Sequence, residues 1–182
     1  MTRRREPLSG EDESILAQAF VEGILNQAKK SLTKEGALIP GLFLRFKDGR
    51  SQILPLDLRE IVAARQIYFA VIGLTFHRQG KKIHEALFLD EILYVEAGKN
   101  RRLSLDIATN LHPKHREAIV IVGHNAPRTR YTMVVQPFWR DRDQQPVFEP
   151  PRIAVYNAFG SMTSAPMRWL DHLFPKRSRL SN

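Results

Sequence analysis

The residues best suited to chemistry are two adjacent carboxylates and three histidines. Asp90 and Glu91 lie within an apolar segment, where burial would raise a carboxyl pKa, as general acids and metal clusters often require. His112, His115 and His124 are ligand types for zinc or manganese, although a proline between the first two prevents helical spacing. A carboxylate in such a segment also commonly pairs with an arginine. We predict a structural role for the carboxylates and keep these five residues as candidate metal ligands.

Motifs of well-known catalytic classes are missing from the sequence. The chain contains no Asp/Glu-x-Lys, which restriction-type nucleases place on a strand, and Asp57-Leu58-Arg59 is its nearest match. It also has no Walker loop, no Gly-x-Gly-x-x-Gly, no Gly-x-Ser-x-Gly and no cysteine. We therefore assign no catalytic residue, expect no cofactor and expect a protein that is not an enzyme.

Positive charge is the most informative property of the composition. The formal net charge is +9, and the second half of the chain carries most of it: residues 92–182 contain 14 basic and 7 acidic side chains, a difference of +7. Cations next to aromatic rings are typical of surfaces that bind single-stranded nucleic acid. Packing of the rings in the core is the alternative explanation. The candidate nucleic-acid-binding residues are Arg128, Arg130, Tyr131, Trp139, Arg140, Arg142 and Arg152.

Three functions are compatible with these patterns. The first is a non-enzymatic basic binding or accessory module that contacts nucleic acid or a nucleoprotein. The second is a metal-dependent hydrolase or nuclease that uses the carboxylates and histidines above. The third is a protein-interaction or scaffolding subunit, whose partner would bind the apolar side chains between Trp169 and Phe174.

Composition favours a soluble cytoplasmic protein. Hydrophobic residues make up 43% of the chain, as is usual for a globular domain, and cysteine is absent. We find no apolar stretch long enough to span a membrane, and the polar N-terminus lacks the core of a signal peptide. We therefore expect no membrane partner.

The stretch from Glu117 to Trp139 predicts the centre of the fold. An apolar, β-branched run at 118–122 and a second run at 131–135 flank the turn-forming residues 125–129, which indicates a β-hairpin. Because the first run has no polar alternation, it should be covered on both faces or lie centrally. Helical spacing predicts one helix from Glu13 to Gly36, capped near Ser9, and a second from Asp57 to Gly80.

Together these elements predict a single α+β domain over residues 11–150. The expected order is α-β-β-α-β-β-β-β, with a mostly antiparallel sheet and both amphipathic helices on one face. Residues 1–10 would form a flexible basic arm, residues 97–116 a long loop, and residues 151–182 an irregular basic C-terminal extension with a short helix.

Three segments carry a resemblance to other proteins. Pro40–Gly49 (PGLFLRFKDG), Phe88–Ile92 (FLDEI) and Arg116–Val122 (REAIVIV) resemble a loose set of small uncharacterised α+β proteins of bacteria and mobile elements. The similarity covers about residues 37–149, and it implies no activity and no functional residue.

Overall fold

The computed structural model describes residues 14–56, 65–97, 102–104, 115–156 and 169–174. Over these residues the chain forms two helices, eight strands and a short helical turn at 169–171. The helices are α1 (Gln18–Glu35) and α2 (Arg65–Arg78). The strands are β1 (Gly41–Phe46), β2 (Ser51–Pro55), β3 (Ile83–Ala97), β4 (Arg102–Ser104), β5 (Arg116–Asn125), β6 (Tyr131–Arg140), β7 (Pro146–Phe148) and β8 (Arg152–Tyr156).

The strands form one antiparallel sheet, which confirms the predicted α+β class. Its order is β2-β1-β3-β5-β6-β7, with β4 paired to β3 and β8 paired to β6. The central hairpin is also confirmed, and its register runs from Glu117 opposite Phe138 to His124 opposite Tyr131. At the turn, the side-chain Oδ1 of Asn125 accepts hydrogen bonds from the backbone N–H groups of residues 129 and 130, at 2.9 and 3.1 Å. The turn residues therefore close the hairpin as the sequence indicates.

Apolar side chains cover both faces of the sheet, and each face carries one helix. Alternate residues of β5 point to opposite sides. Ile119 and Ile121 pack in the core under α1, whereas Val120 and Val122 pack in the core that contains Phe69 of α2. We call these sides the α1 face and the α2 face. The prediction that both helices share one face is wrong, because a strand that is apolar on both sides needs a cover on each.

Helix α1 begins beside a buried carboxylate. Glu85 accepts hydrogen bonds from the hydroxyl of Ser14 at 2.8 Å and from the backbone N–H of Ile15 at 3.0 Å. Arg45 lies 3.7 Å from the same carboxylate. At the other end Gly36 adopts φ 74°, and its N–H donates to the carbonyl of Leu32, as the predicted stop at this glycine requires. The predicted cap near Ser9 lies outside the described residues.

Two segments that we expected to be irregular contain strands. β8 lies in the predicted C-terminal extension and pairs with β6, and β4 lies in the predicted loop and pairs with the end of β3. The predicted start of the second helix at Asp57 falls outside the described residues, and α2 is described from Arg65. Within the described part of the chain, neither helix has the length and apolar character that crossing a membrane would require.

Candidate functional site

A cavity of about 610 Å³ opens on the α2 face, at the end of the sheet that carries the β5–β6 turn. Gly73 and His77 of α2 form one side, and Leu173 and Phe174 form another. The remaining wall comes from Lys47 after β1, from residues 81–83 at the start of β3, and from Ala126 and Arg128 in the β5–β6 turn. Four separate parts of the chain therefore meet at this cavity.

The lining of the cavity is cationic. It contains three lysines, one arginine and one histidine, and none of its described lining residues is a carboxylate. The Nζ of Lys81 lies 5.8 and 5.4 Å from the ring centroids of Phe46 and Phe76, so these rings hold its ammonium group by cation–π attraction. Lys47 and Lys82 are exposed, and no carboxylate of the described residues lies within salt-bridge distance of them. We call this site the cationic cavity, and its basic lining residues are Lys47, His77, Lys81, Lys82 and Arg128.

Backbone hydrogen bonds join the segments that carry these cations. The N–H of Lys47 donates to the carbonyl of Lys82 at 2.9 Å, which joins the end of β1 to the start of β3. The N–H of Ala126 donates to the carbonyl of His84 at 2.8 Å, which joins β3 to the β5–β6 turn. The cations therefore stand at one end of the sheet, on segments that these backbone bonds hold together.

Residues 169–174, which we call the C-terminal segment, close one side of the cavity. Leu170 and Leu173 are fully buried, and the ring of Trp169 lies edge-on to Phe88 at 6.2 Å. Gly73 makes this approach possible, since a Cβ there would stand 2.5 Å from the carbonyl oxygen of Leu173. The apolar side chains between Trp169 and Phe174, which the sequence analysis assigns to a protein partner, thus pack on the protein's own core.

A polar cluster lies beneath this wall of the cavity. Arg128 forms an ion pair with Asp171 at 2.8 Å. His124 is buried, and its Nδ1 donates to the carbonyl oxygen of Asn125 at 2.9 Å. Its Nε2 lies 3.3 Å from Asp171 Oδ1, close enough for electrostatic attraction but outside hydrogen-bond geometry. Burial lowers the pKa of His124, an effect that the Asn125 carbonyl and the Asp171 carboxylate oppose.

The predicted nucleic-acid-binding residues fall into two groups at opposite ends of β6. Arg128, Arg130 and Tyr131 lie at the end that carries the cavity. Trp139, Arg140 and Arg142 lie at the other end, about 30 Å away along the strand. Arg152 is opposite Val135, between the two groups. The structure therefore brings only the first group close to the cationic cavity.

Arg140 has carboxylate partners of its own on the α1 face. Its guanidinium contacts Glu91 at 3.0 Å and Glu117 at 3.2 Å, and it donates to the carbonyl oxygen of Gly36 at 3.2 Å. Burial raises the pKa of Glu91, and the positive charge of Arg140 opposes that effect. This pairing matches the structural role predicted for Glu91.

The candidate metal ligands do not converge in the described residues. Asp90 points to the α2 face and Glu91 to the α1 face, because they are neighbours on one strand. His115 stands just before β5, whereas His124 is near its far end. His112 lies outside the described residues. Within the described ranges, no three His, Cys, Asp or Glu side chains group as metal ligands.

Four of the five basic residues that line the cavity could not be identified from the sequence. Lys47, His77, Lys81 and Lys82 belong to a hairpin turn, a helix end and the loop after it, where charged side chains are ordinary. A signal does exist in the topology: β1 and β3 are antiparallel neighbours, so the end of β1 must lie beside the start of β3.

The fold and the cavity thus define an α+β protein with a cationic cavity at one end of its sheet. Comparison of the chain with models of protein families, with curated proteins and with solved structures finds no match.

Proposed function

We propose that this protein is a non-enzymatic binding module that contacts nucleic acid, alone or within a nucleoprotein, through the cationic cavity. The observation that carries the proposal is a cavity with four cationic side chains and no carboxylate among its described lining residues. Phosphate groups are the anions that such a site attracts most strongly in nucleic acid, by direct contact and by release of condensed counterions. The cytoplasmic location expected from the sequence belongs to this proposal.

Charge distribution around the cavity supports binding of a polyanion. Arg128 shares its charge with Asp171, so the lining retains three lysines without a carboxylate partner among the described residues. Arg130 lies in the same turn and adds a further positive charge at this end of the sheet. Steering of an anion toward a concave basic surface raises its rate of association. Tyr131 lies at the same end of β6, where its half-buried ring packs against the core and lies 5.6 Å from the ring of His124.

A salt-titrated binding assay tests the proposal with a charge-matched control. The test variant, Lys47→Gln with Lys82→Gln, removes two exposed cations from the cavity. The control, Lys30→Gln with Lys34→Gln, removes two exposed cations from α1, on the other face of the sheet. Both variants have the same net charge, so the comparison separates a local site from general attraction.

We expect labelled short DNA or RNA to bind the unmodified protein at low salt, as measured by fluorescence anisotropy. For duplex DNA, the test variant should reduce the slope of log K against log salt by about 0.9 for each phosphate that the two lysines contact. The control should keep the original slope. Binding that is absent at low salt, or equal weakening by both variants, would contradict the proposal.

A further inference from the structure

We infer that the cationic cavity binds a single nucleotide unit through a terminal phosphate, rather than the internal phosphates of a continuous strand. This inference rests on the proposed function and specifies its ligand. The ligand class is a phosphomonoester of a nucleoside, which occurs in a free mononucleotide and at a phosphorylated strand end.

The size of the cavity is the first argument. Pockets of roughly 300–1,000 Å³ are those that enclose small organic ligands in proteins. At about 610 Å³ the cationic cavity falls inside this range, and it is bounded by α2 on one side and by Leu173 and Phe174 on another. A continuous duplex or strand is instead bound along an extended groove. The shape therefore suits one nucleotide better than a run of them.

The charge of the cavity is the second argument. Lys47, Lys81, Lys82 and Arg128 contribute four positive charges, and Asp171 neutralises one of them through Arg128. A phosphomonoester carries roughly −1.5 to −2 charges at neutral pH, whereas an internal phosphodiester carries one. The remaining excess of three positive charges therefore favours the terminal group. His77 lines the same cavity and could add a donor.

The apolar part of the lining is the third argument. Ile83, Leu173 and Phe174 line the cavity beside the cations. Phe174 is half-buried and lies 4.9 Å from the ring of His124, so its ring is held in place by packing. Ile83 and Leu173 are themselves buried, so the half-buried ring of Phe174 is the apolar surface on which the base or sugar of a nucleotide could pack, while the phosphate contacts the lysines.

The experiment compares two labelled oligonucleotides that differ in one group, a 5′-phosphate or a 5′-hydroxyl, with the label at the other end. We expect the phosphorylated strand to bind about tenfold tighter, as one additional charge-assisted contact provides. Lys47→Gln with Lys82→Gln should remove this difference, and Lys30→Gln with Lys34→Gln should preserve it. Equal affinity for both strands would overturn the inference. If that binding still depended on salt and on the cavity lysines, the proposed function would stand; if neither strand bound, both would fail.

Competition identifies the source of the phosphomonoester. Displacement of the labelled phosphorylated strand by adenosine monophosphate would support the inference and assign the site to a free nucleotide. Displacement only by an unlabelled phosphorylated strand would also support it and assign the site to a strand end. If inorganic phosphate displaced the strand at the same concentration as adenosine monophosphate, the nucleoside would contribute nothing and the inference would be overturned.

Discussion

Gly73 of α2 lies directly against the backbone of Leu173, so that a Cβ added to Gly73 would stand 2.5 Å from the Leu173 carbonyl oxygen. Two adjacent backbone atoms of Leu173 would be 2.9 Å away. Because backbone atoms cannot move aside as a flexible side chain can, this glycine determines whether the C-terminal segment can pack on α2. The same contact forms one wall of the cationic cavity.

The first prediction is that Gly73→Ala displaces the C-terminal segment. Replacement of a helical glycine by alanine normally stabilises by about 0.5–1 kcal/mol, but here the clash should reverse the sign and cost about 1–3 kcal/mol. The chain contains two tryptophans. In a Trp139→Phe background, the emission of Trp169 should shift to longer wavelength as its packing against Phe88 is lost, and chemical denaturation would measure the stability.

Gly23→Ala is the matched control for this substitution. Gly23 also lies within a helix, and nothing would lie within 4 Å of an added Cβ. We expect this variant to be more stable than the original protein by about 0.5–1 kcal/mol, with unchanged Trp169 emission. If Gly73→Ala behaved like Gly23→Ala, the contact between α2 and the C-terminal segment would be refuted.

The second prediction concerns the pH dependence that His124 gives to stability. Burial lowers the pKa of His124 in the folded protein below its ordinary value of 6.5, even though Asp171 faces the ring. Below pH 6.5 the unfolded chain therefore binds more protons at this residue than the folded protein does. The contribution of His124 to the free energy of unfolding is fully present above that pH and is lost as the pH falls toward the folded pKa. The free energy of unfolding should change by at most about 1.4 kcal/mol per pH unit from this residue.

Urea denaturation between about pH 7 and pH 5 measures this slope. His124→Gln should flatten the dependence, whereas His172→Gln, which alters an exposed histidine of the C-terminal segment, should leave it unchanged. An identical slope for His124→Gln and the unmodified protein would show that other groups cause the acid sensitivity.

The third prediction is that Glu85 anchors the start of α1. Its buried carboxylate accepts hydrogen bonds from Ser14 and Ile15, so Glu85→Gln should cost about 1–3 kcal/mol by leaving a donor without an acceptor. Ser14→Ala should cost about 1 kcal/mol, and the double variant should cost less than the sum of the two, because the two side chains share one bond. The free energy of unfolding in urea tests both statements.

Glu22→Gln provides the comparison for Glu85→Gln. Glu22 is exposed on α1 and accepts a hydrogen bond from Gln18 at 2.7 Å, so its replacement should change stability by less than about 0.5 kcal/mol. Amide hydrogen exchange should also increase at the first turn of α1 in Glu85→Gln alone. Unchanged exchange there would argue that the helix start does not depend on this carboxylate.

Local sequence patterns predict most of the sheet. The apolar runs at 118–122 and 131–135 and the turn residues between them specify the central hairpin, because period and turn chemistry act over a few residues. The face on which each helix packs is a tertiary property. In α2, Phe69 is buried while Ile67, Val71 and Leu74 are 68%, 53% and 47% exposed, so apolar side chains occur around the whole helix and no periodicity selects a face.

The cavity could not be predicted from local sequence patterns, because it also depends on tertiary contacts. Lys47 and Lys82 are distant in the sequence and come together only through the pairing of β1 with β3 and the backbone bond between them. Charge and aromatic content also predict Arg140 as a binding residue. The sequence pattern cannot show that Glu91 on β3 and Glu117 on β5 already pair with it. Composition thus predicts that the protein is basic, whereas topology decides which cations remain accessible.

The last prediction is that Arg140 has a structural role, unlike the arginine at the cationic cavity. Arg140→Gln removes the cation that contacts Glu91 and Glu117 and should cost about 1–3 kcal/mol at neutral pH. Arg142→Gln, at an exposed position of the adjacent turn, should change stability by less than about 0.5 kcal/mol. Burial already raises the pKa of Glu91.

Without Arg140, the pKa of Glu91 in the folded protein should rise further above its value in the unfolded chain. The stability of the variant should therefore decline as the pH rises from the unfolded pKa to the folded pKa. The cost of Arg140→Gln should therefore be smaller near about pH 4, where Glu91 is protonated and needs no cation. Chemical denaturation of both variants at the two pH values measures it. If the loss of stability in Arg140→Gln did not change with pH, the ion pair with Glu91 would not be what Arg140 contributes. If Arg140→Gln kept full stability but lost affinity for nucleic acid, Arg140 would belong to the binding surface.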